Sequence, residues 1–341
     1  MTFTVKGDAS EKWLRYRHLI PNHTDWETIE QGYLPARMDA RNGGTGLKGK
    51  LISDYYCYND RAYAGKENLI GTIQTPGTHR VGDVGLEADL EVQSSSGELI
   101  LDTVEAGAHF RCTIDVATGK ATLSCSDPSV KFASASSKAA VASPQAQTAI
   151  RGAGSYVVKY ANCDDRIFLW VNNKPVEFDA ADFSRQATMR PRYSAKDPAD
   201  AEPLGVASKN LDLKVTRLKV LRDVYYTSPP SATKNIQNET GQNPNVIATI
   251  HDNPDRWESK SGIRLFASRK NIQEPMFVLE ADQFLPMGDN SPESLDGRVW
   301  GPHPNYVHRD MLIGRALFIY WPHSLNSPKY FPNFKRMNFI R

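Results

Sequence analysis

Between residues 47 and 226 apolar and polar positions alternate with a period of two, the pattern of strands with one face buried and the other in water. The alternation is clear over 85–92, 98–102, 109–114, 120–124, 155–160, 166–171 and 211–218. Short strands separated by turn residues predict an antiparallel sandwich, and Thr118-Gly119 and Asn172-Asn173 predict hairpins. Residues 126–147, rich in Ser and Ala, and 191–203 lack periodicity and read as loops.

Outside that block the pattern changes. Residues 1–46 hold Trp13, Tyr16, Trp26 and Tyr33 and a short helix signal capped by Thr24 or Asp25, and they read as a connecting segment. Residues 227–274 turn polar around Ser228-Pro229-Pro230-Ser231 and read as a linker. Residues 275–341 form a last unit that opens on a strand-like run over 275–280 and ends in an aromatic tail expected to dock on its own unit.

Composition narrows the function classes. With 41 basic and 39 acidic residues the net charge is +2, and no basic run interleaved with aromatics points to nucleic acid. No stretch approaches the roughly 20 apolar residues that cross a bilayer, and the N-terminus lacks the regions of a secretory signal. The sequence itself therefore reads as soluble. Cys57, Cys112, Cys125 and Cys163 show no zinc spacing. Cys112 and Cys125 lie symmetrically about the turn at 117–120, so a bulge-free hairpin would place them opposite each other; two free thiols is the other reading.

The densest polar chemistry lies at 284–301. Gly288, Asp289, Asn290, Ser294, Asp296 and Arg298 fall within eleven positions, with Gly297 and Gly301 giving the backbone freedom of a tight loop. Asp296 and Arg298, two apart, share one face of an extended strand and can pair there, with Ser294 on the same face. A plain turn is the simpler reading of such a cluster. Asp282, Asp289, Asn290, Glu293 and Asp296 offer oxygens to calcium, but their spacing fits no 12-residue calcium loop, and neither a metal nor a cofactor is expected.

The ordered series from Met287 through Asn290, from Ser294 through Gly301, and from Ile313 through Ala316 resembles the last signature block of bacterial type I signal peptidases. The resemblance implies a serine endopeptidase that removes signal peptides from exported preproteins, working with a Ser nucleophile and a Lys base outside the cytoplasm. It implies supporting roles here: Ser294 holding the lysine ammonium, Asp296 and Arg298 bridging strand and loop, and Gly288, Asp289 and Asn290 shaping the site loop. The nucleophile and lysine signatures of that family are not found, so no catalytic residue is identified and the chain alone is expected to be inactive. Ser231-Ala232-Thr233-Lys234 reads as loop, and His303 and His308 have no acidic third member. A membrane contact is expected only through an anchor that the resemblance would place before Met1.

A second resemblance is more diffuse. Residues 169–176 and 211–221 are similar to concanavalin- and laminin-G-type jelly rolls. The expected architecture is thus mainly β: a jelly-roll-like β-sandwich over 47–226, inserted into the C-terminal part of a signal-peptidase-like β fold. The competing functions are a module binding carbohydrate or protein through the sandwich, and a regulatory pseudo-peptidase. For a sugar, the aromatic and acidic run at 54–60 is one place to look, though a plain tyrosine-rich strand accounts for it equally.

Overall fold

The computed structural model describes residues 2–20, 25, 28–29, 31–38, 47–54, 79–134, 139–184, 190–224, 226, 244–267, 277–288, 294–300, 304–320, 334 and 337–340. In chain order the strands are β1 (Phe3–Val5), β2 (Lys12–Tyr16), β3 (Val84–Val92), β4 (Glu98–Glu105), β5 (Ala108–Asp115), β6 (Lys120–Cys125), β7 (Lys131–Ala133) and β8 (Ala140–Val141). There follow β9 (Gln145–Gln147), β10 (Gly154–Cys163), β11 (Arg166–Val171), β12 (Lys174–Pro175), β13 (Asp182–Ser184), β14 (Leu204–Lys209) and β15 (Leu213–Arg222).

Among the described residues fifteen antiparallel strands build two sheets. One has nine strands in the order β1-β15-β3-β10-β11-β13-β7-β8, with β12 beside β11. The other has six, in the order β2-β14-β4-β5-β6-β9. Every second residue of each long strand points into the space between them: Leu86, Leu90, Val158 and Leu169 from the first sheet, Leu99, Leu101, Phe110 and Leu123 from the second. Tyr160 is wholly buried and donates its hydroxyl to the Phe110 carbonyl, 3.1 Å away, tying the sheets together through a polar bond inside the apolar layer. Phe110 also packs on Phe183, with ring centroids 4.4 Å apart. The protein is mainly β and sandwich-like, as the alternation predicts.

Several segments differ from expectation, each for a physical reason. Residues 1–46 are not merely connecting: β1 adds to the first sheet beside β15, and β2 to the second beside β14, because Leu14 and Tyr16 alternate inward onto the core. The loop expected at 126–147 carries three short strands, β7, β8 and β9, whose few residues are too short for a period to show. Within 227–274, expected as linker, α1 (Pro244–His251) and α2 (Lys260–Ala267) enclose a small second core of Ile247, Ile250, Trp257 and Leu265 on Leu51 and Ala201. The helix signal at 24–30 lies largely outside the described residues.

Two hairpins test the turn chemistry. Asn172 and Asn173 both take positive φ, 51° and 61°, with Val171 paired to Lys174, the two-residue hairpin that their short polar side chains tolerate. At the other, the Asp115 carboxylate accepts N–H groups of Ala117 and Thr118 and makes the turn wider. The register shifts by two, so Cys112 faces Leu123 and Cys125 faces Phe110, and no disulfide joins Cys112 to Cys125. Burial in the apolar layer pushes the Cys112 thiol far above its ordinary range.

Candidate functional site

The polar turn lies between the two strands of a ribbon, β16 (Gln283–Phe284) paired with β17 (Val307–His308). The strand expected over 275–280 is not formed in its described part, 277–280. Asp282, at φ 64°, starts the ribbon and pairs with Arg309, Nε to Oδ1 2.5 Å, while its carbonyl accepts the Arg309 N–H. Two segments, 286–288 and 294–297, then meet: Gly297 N–H donates to the Pro286 carbonyl at 2.9 Å.

Asp296 is the hub of this meeting. It does not sit in an extended strand as the spacing suggested; it caps a 3₁₀ turn, Gly297–Val299, and accepts the Arg298 N–H at 3.1 Å. The turn brings the Arg298 guanidinium back onto the same carboxylate, Nε to Oδ1 2.8 Å and Nη2 to Oδ2 2.7 Å. Gly288 N–H supplies a fourth donor to Oδ2 at 2.9 Å. Both side chains are only 6 % exposed. The Arg298 side chain, with the Gly288 and Arg298 N–H groups, holds the Asp296 carboxyl far below the usual range against the opposing effect of burial. A carboxylate so saturated and so acidic cannot serve as a proton acceptor at neutral pH; its work is to fix the two segments.

That fixing places Ser294. Its hydroxyl lies against the Gly288 α-carbon, where a methyl group on residue 288 would collide with it. Gly288, Ser294, Asp296 and Arg298 are therefore brought together, whereas Asp289, Asn290 and Glu293 lie outside the described residues. Around the cluster the Asn305 amide donates to the Gly297 carbonyl, Trp300 Nε1 donates to the Leu295 carbonyl at 3.0 Å, and the Arg298 guanidinium lies 5.2 Å from the Tyr226 ring. Of the oxygens offered for calcium, Asp282 and Asp296 are each committed to a guanidinium, and no cluster of metal-ligating side chains occurs among the described residues. His308 stands edge-on to Tyr306, ring centroids 5.2 Å apart; His303, the 231–234 pattern and the 55–60 run lie outside the described residues.

This polar turn lies inside a signal peptidase match. A family model described as signal peptidase, peptidase S26, matches residues 163–321, just under half of the chain, and supports a relationship to that family. The match begins at the end of β10 and so takes in the second half of the sandwich and both helices as well as the turn. Comparison with curated proteins gives no match. Among solved structures, sheep galectin-11 in complex with glycerol is 11 % identical at a TM-score of 0.27, over 41 % of this chain and 90 % of that one. The Caenorhabditis elegans galectin LEC-6 is 7 % identical at 0.27, over 41 % and 84 %, and the carbohydrate binding module CBM66 from Bacillus subtilis 11 % at 0.27, over 41 % and 74 %. These are distant likenesses without functional weight.

A second polar cluster was missed in the sequence: Trp13, Arg15, Asp102, His109 and Arg111 on the outer face of the six-stranded sheet. The period-two placement of His109, Arg111 and Thr113 against Phe110 and Cys112 marks that face, but the strand pairings that complete it join residues about 105 and 190 positions apart in the chain.

Proposed function

We propose that residues 284–316 are the supporting block of a signal peptidase I-like serine endopeptidase that removes signal peptides from exported proteins. The observation that carries this reading is the buried Asp296–Arg298 pair, saturated with donors and inside the peptidase S26 match, which presents the Ser294 hydroxyl beside Gly288. A hydroxyl fixed in this way can accept a hydrogen bond from a lysine ammonium and hold the neutral amine toward a nucleophilic serine. Ser294 is thus a positioning residue for a Ser-Lys pair, Asp296 and Arg298 hold its loop, and the substrate is an exported preprotein on the far side of the membrane from the cytoplasm. No helix among the described residues is long and apolar enough to cross a membrane.

The test replaces Ser294 by Ala at the natural gene and follows preprotein processing by pulse-chase in the source cells. Processing is expected to slow about tenfold or more with the acid limb of its pH profile moved toward lower pH, because a lysine ammonium that loses a hydrogen-bond acceptor gives up its proton more readily. Unchanged processing, with the variant present at normal abundance, overturns the role.

A further inference from the structure

The outer face of the six-stranded sheet carries two rows of side chains in register. One runs Arg15, Gly205, Asp102, Arg111 and Ser124 across β2, β14, β4, β5 and β6. The other runs Trp13, Ala207, Ile100, Thr113 and Thr122 across the same strands and ends on Gln145 of β9. Their neighbours along each strand, among them Leu14, Val206, Leu101, Cys112 and Leu123, point into the core, so both rows face away from it.

The first row is bound into one network. Asp102, fully buried, accepts from Arg15 Nη2 at 2.7 Å and from His109 Nδ1 at 2.7 Å. His109 Nε2 lies 3.1 Å from the Asp197 carboxylate. Burial would lower the affinity of that imidazole for a proton, yet Asp102 and Asp197 together raise it, and each ring nitrogen has a carboxylate within hydrogen-bond distance. The Trp13 indole lies over Gly205, where any side chain would strike it, with the Arg15 guanidinium 4.2 Å and the Arg111 guanidinium 5.0 Å from its ring centre. Trp13 Nε1 donates to Glu11 at 2.9 Å.

The outer face of the other sheet makes the contrast. There Glu87, Asp89 and Glu91 meet Lys159, Arg217 and Lys214 in an open ladder of the kind water supports and stability scarcely notices. On the six-stranded sheet Arg15, Asp102 and His109 are instead largely out of water beside an indole, and Asp102 Oδ1 and Arg111 Nε are both buried without a hydrogen-bond partner, 3.9 Å apart. Such an arrangement costs stability and points to use.

We propose that this face is a saccharide-binding site. Arg15 and Arg111, with His109 held between two carboxylates, stand against Asp102, Asp197 and Glu11, so charges of both signs are interleaved and no strong excess of either draws an ion. What remains open to a ligand is a mixed set of fixed donors and acceptors: Arg111, Glu11 and Asp197 are 35 %, 36 % and 53 % exposed. Thr113, Thr122, Ser124 and Gln145 extend this set with hydroxyls and an amide. Paired donors and acceptors beside an indole edge suit vicinal hydroxyls and the C–H faces of a neutral sugar. The row from β2 to β9 crosses five strand gaps, about 24 Å, which suits an oligosaccharide rather than a single ring.

The experiment presents the full chain to an array of neutral oligosaccharides beside sialylated and sulfated ones, and follows the best ligand by titration calorimetry. Binding to a neutral glycan is expected, weakened at least tenfold by Arg111→Lys and by Thr122→Arg, which fills the row without touching the Asp102 network. Trp170→Ala, on the other sheet, is expected to leave it unchanged, and all three variants are first required to melt within a few degrees of the parent. Absence of binding to every neutral glycan overturns the proposal, as does binding that survives both substitutions or binding confined to the acidic glycans and abolished by salt.

Discussion

The sandwich and the 283–308 block reach order by opposite routes. In the sandwich an apolar layer is closed from both sides, with Leu86, Leu90, Leu99, Leu101, Phe110 and Tyr160 almost entirely out of water. Among the described residues from 277 to 320 the buried ones are Asp296, Gly297 and Arg298, and Leu295, Val299, Met311 and Ile313 beside them are exposed. One region is held by non-directional burial, the other by a single charged pair with directional bonds. The first tolerates exchange of one apolar shape for another; the second depends on two named atoms of one guanidinium.

The largest blow to the contrast is Phe110→Ala. Removing a ring between Phe132 and Phe183 at the centre of the layer is expected to cost about 3–5 kcal/mol, read as a lower denaturant midpoint for the whole sandwich. An effect below about 1 kcal/mol would mean that the two sheets do not share one core.

Arg298→Ala comes next, at about 2–4 kcal/mol, because it leaves Asp296 buried with only backbone donors. Its signature is locality: hydrogen exchange should quicken over 283–308 while the sandwich transition stays in place. A shift of the sandwich transition by the same amount would join what the comparison separates.

Acid separates the regions by pH. His18, buried near the cations Lys50 and Arg222, has its pKa lowered to about 4, so between pH 6.5 and 4 the unfolded chain binds the proton that the folded one refuses. Stability of the sandwich side is expected to be full above pH 6.5 and to fall by up to about 3 kcal/mol on the way to pH 4, with the slope removed in His18→Gln. Asp296 behaves in the opposite window: its folded pKa is depressed, so its contribution is present above about pH 4 and is lost only as pH falls toward that depressed value. Exchange protection over 283–308 should therefore outlast the first loss of sandwich stability.

The smallest expected effect, about 1–2 kcal/mol, is Gly288→Ala, which drives a methyl group into the Ser294 hydroxyl. Loss of local protection in this variant, relieved when Ser294→Ala is added, would locate the strain at that contact; no relief would place it elsewhere.

Legibility in the sequence followed the range of the interactions. Long strands such as β3, β10 and β15 showed their period, and so did the Asn172-Asn173 hairpin, because both are properties of neighbours in the chain. The partnership of Asp296 with Arg298 was visible in their spacing, although its form was not: a capping carboxylate turns the backbone into a 3₁₀ turn, and that choice depends on the Gly288 N–H eight residues earlier. The β2 strand, Trp257 with its two helices, and the network around Asp102 stayed hidden. Each is completed only by a partner far away in sequence, and no local pattern encodes which partner that is.

The first strands of the chain pair with its last strands in the sandwich: Phe3 with Val215, Leu14 with Val206. During synthesis at about 5–20 residues per second, β1 and β2 leave the ribosome roughly 10–40 s before the strands they pair with exist. Both are short, and β2 carries Lys12 and Arg15, which discourage premature pairing with another nascent chain. The sandwich can close only once residue 215 or so has emerged, so its birth is timed by the far end of its own sequence.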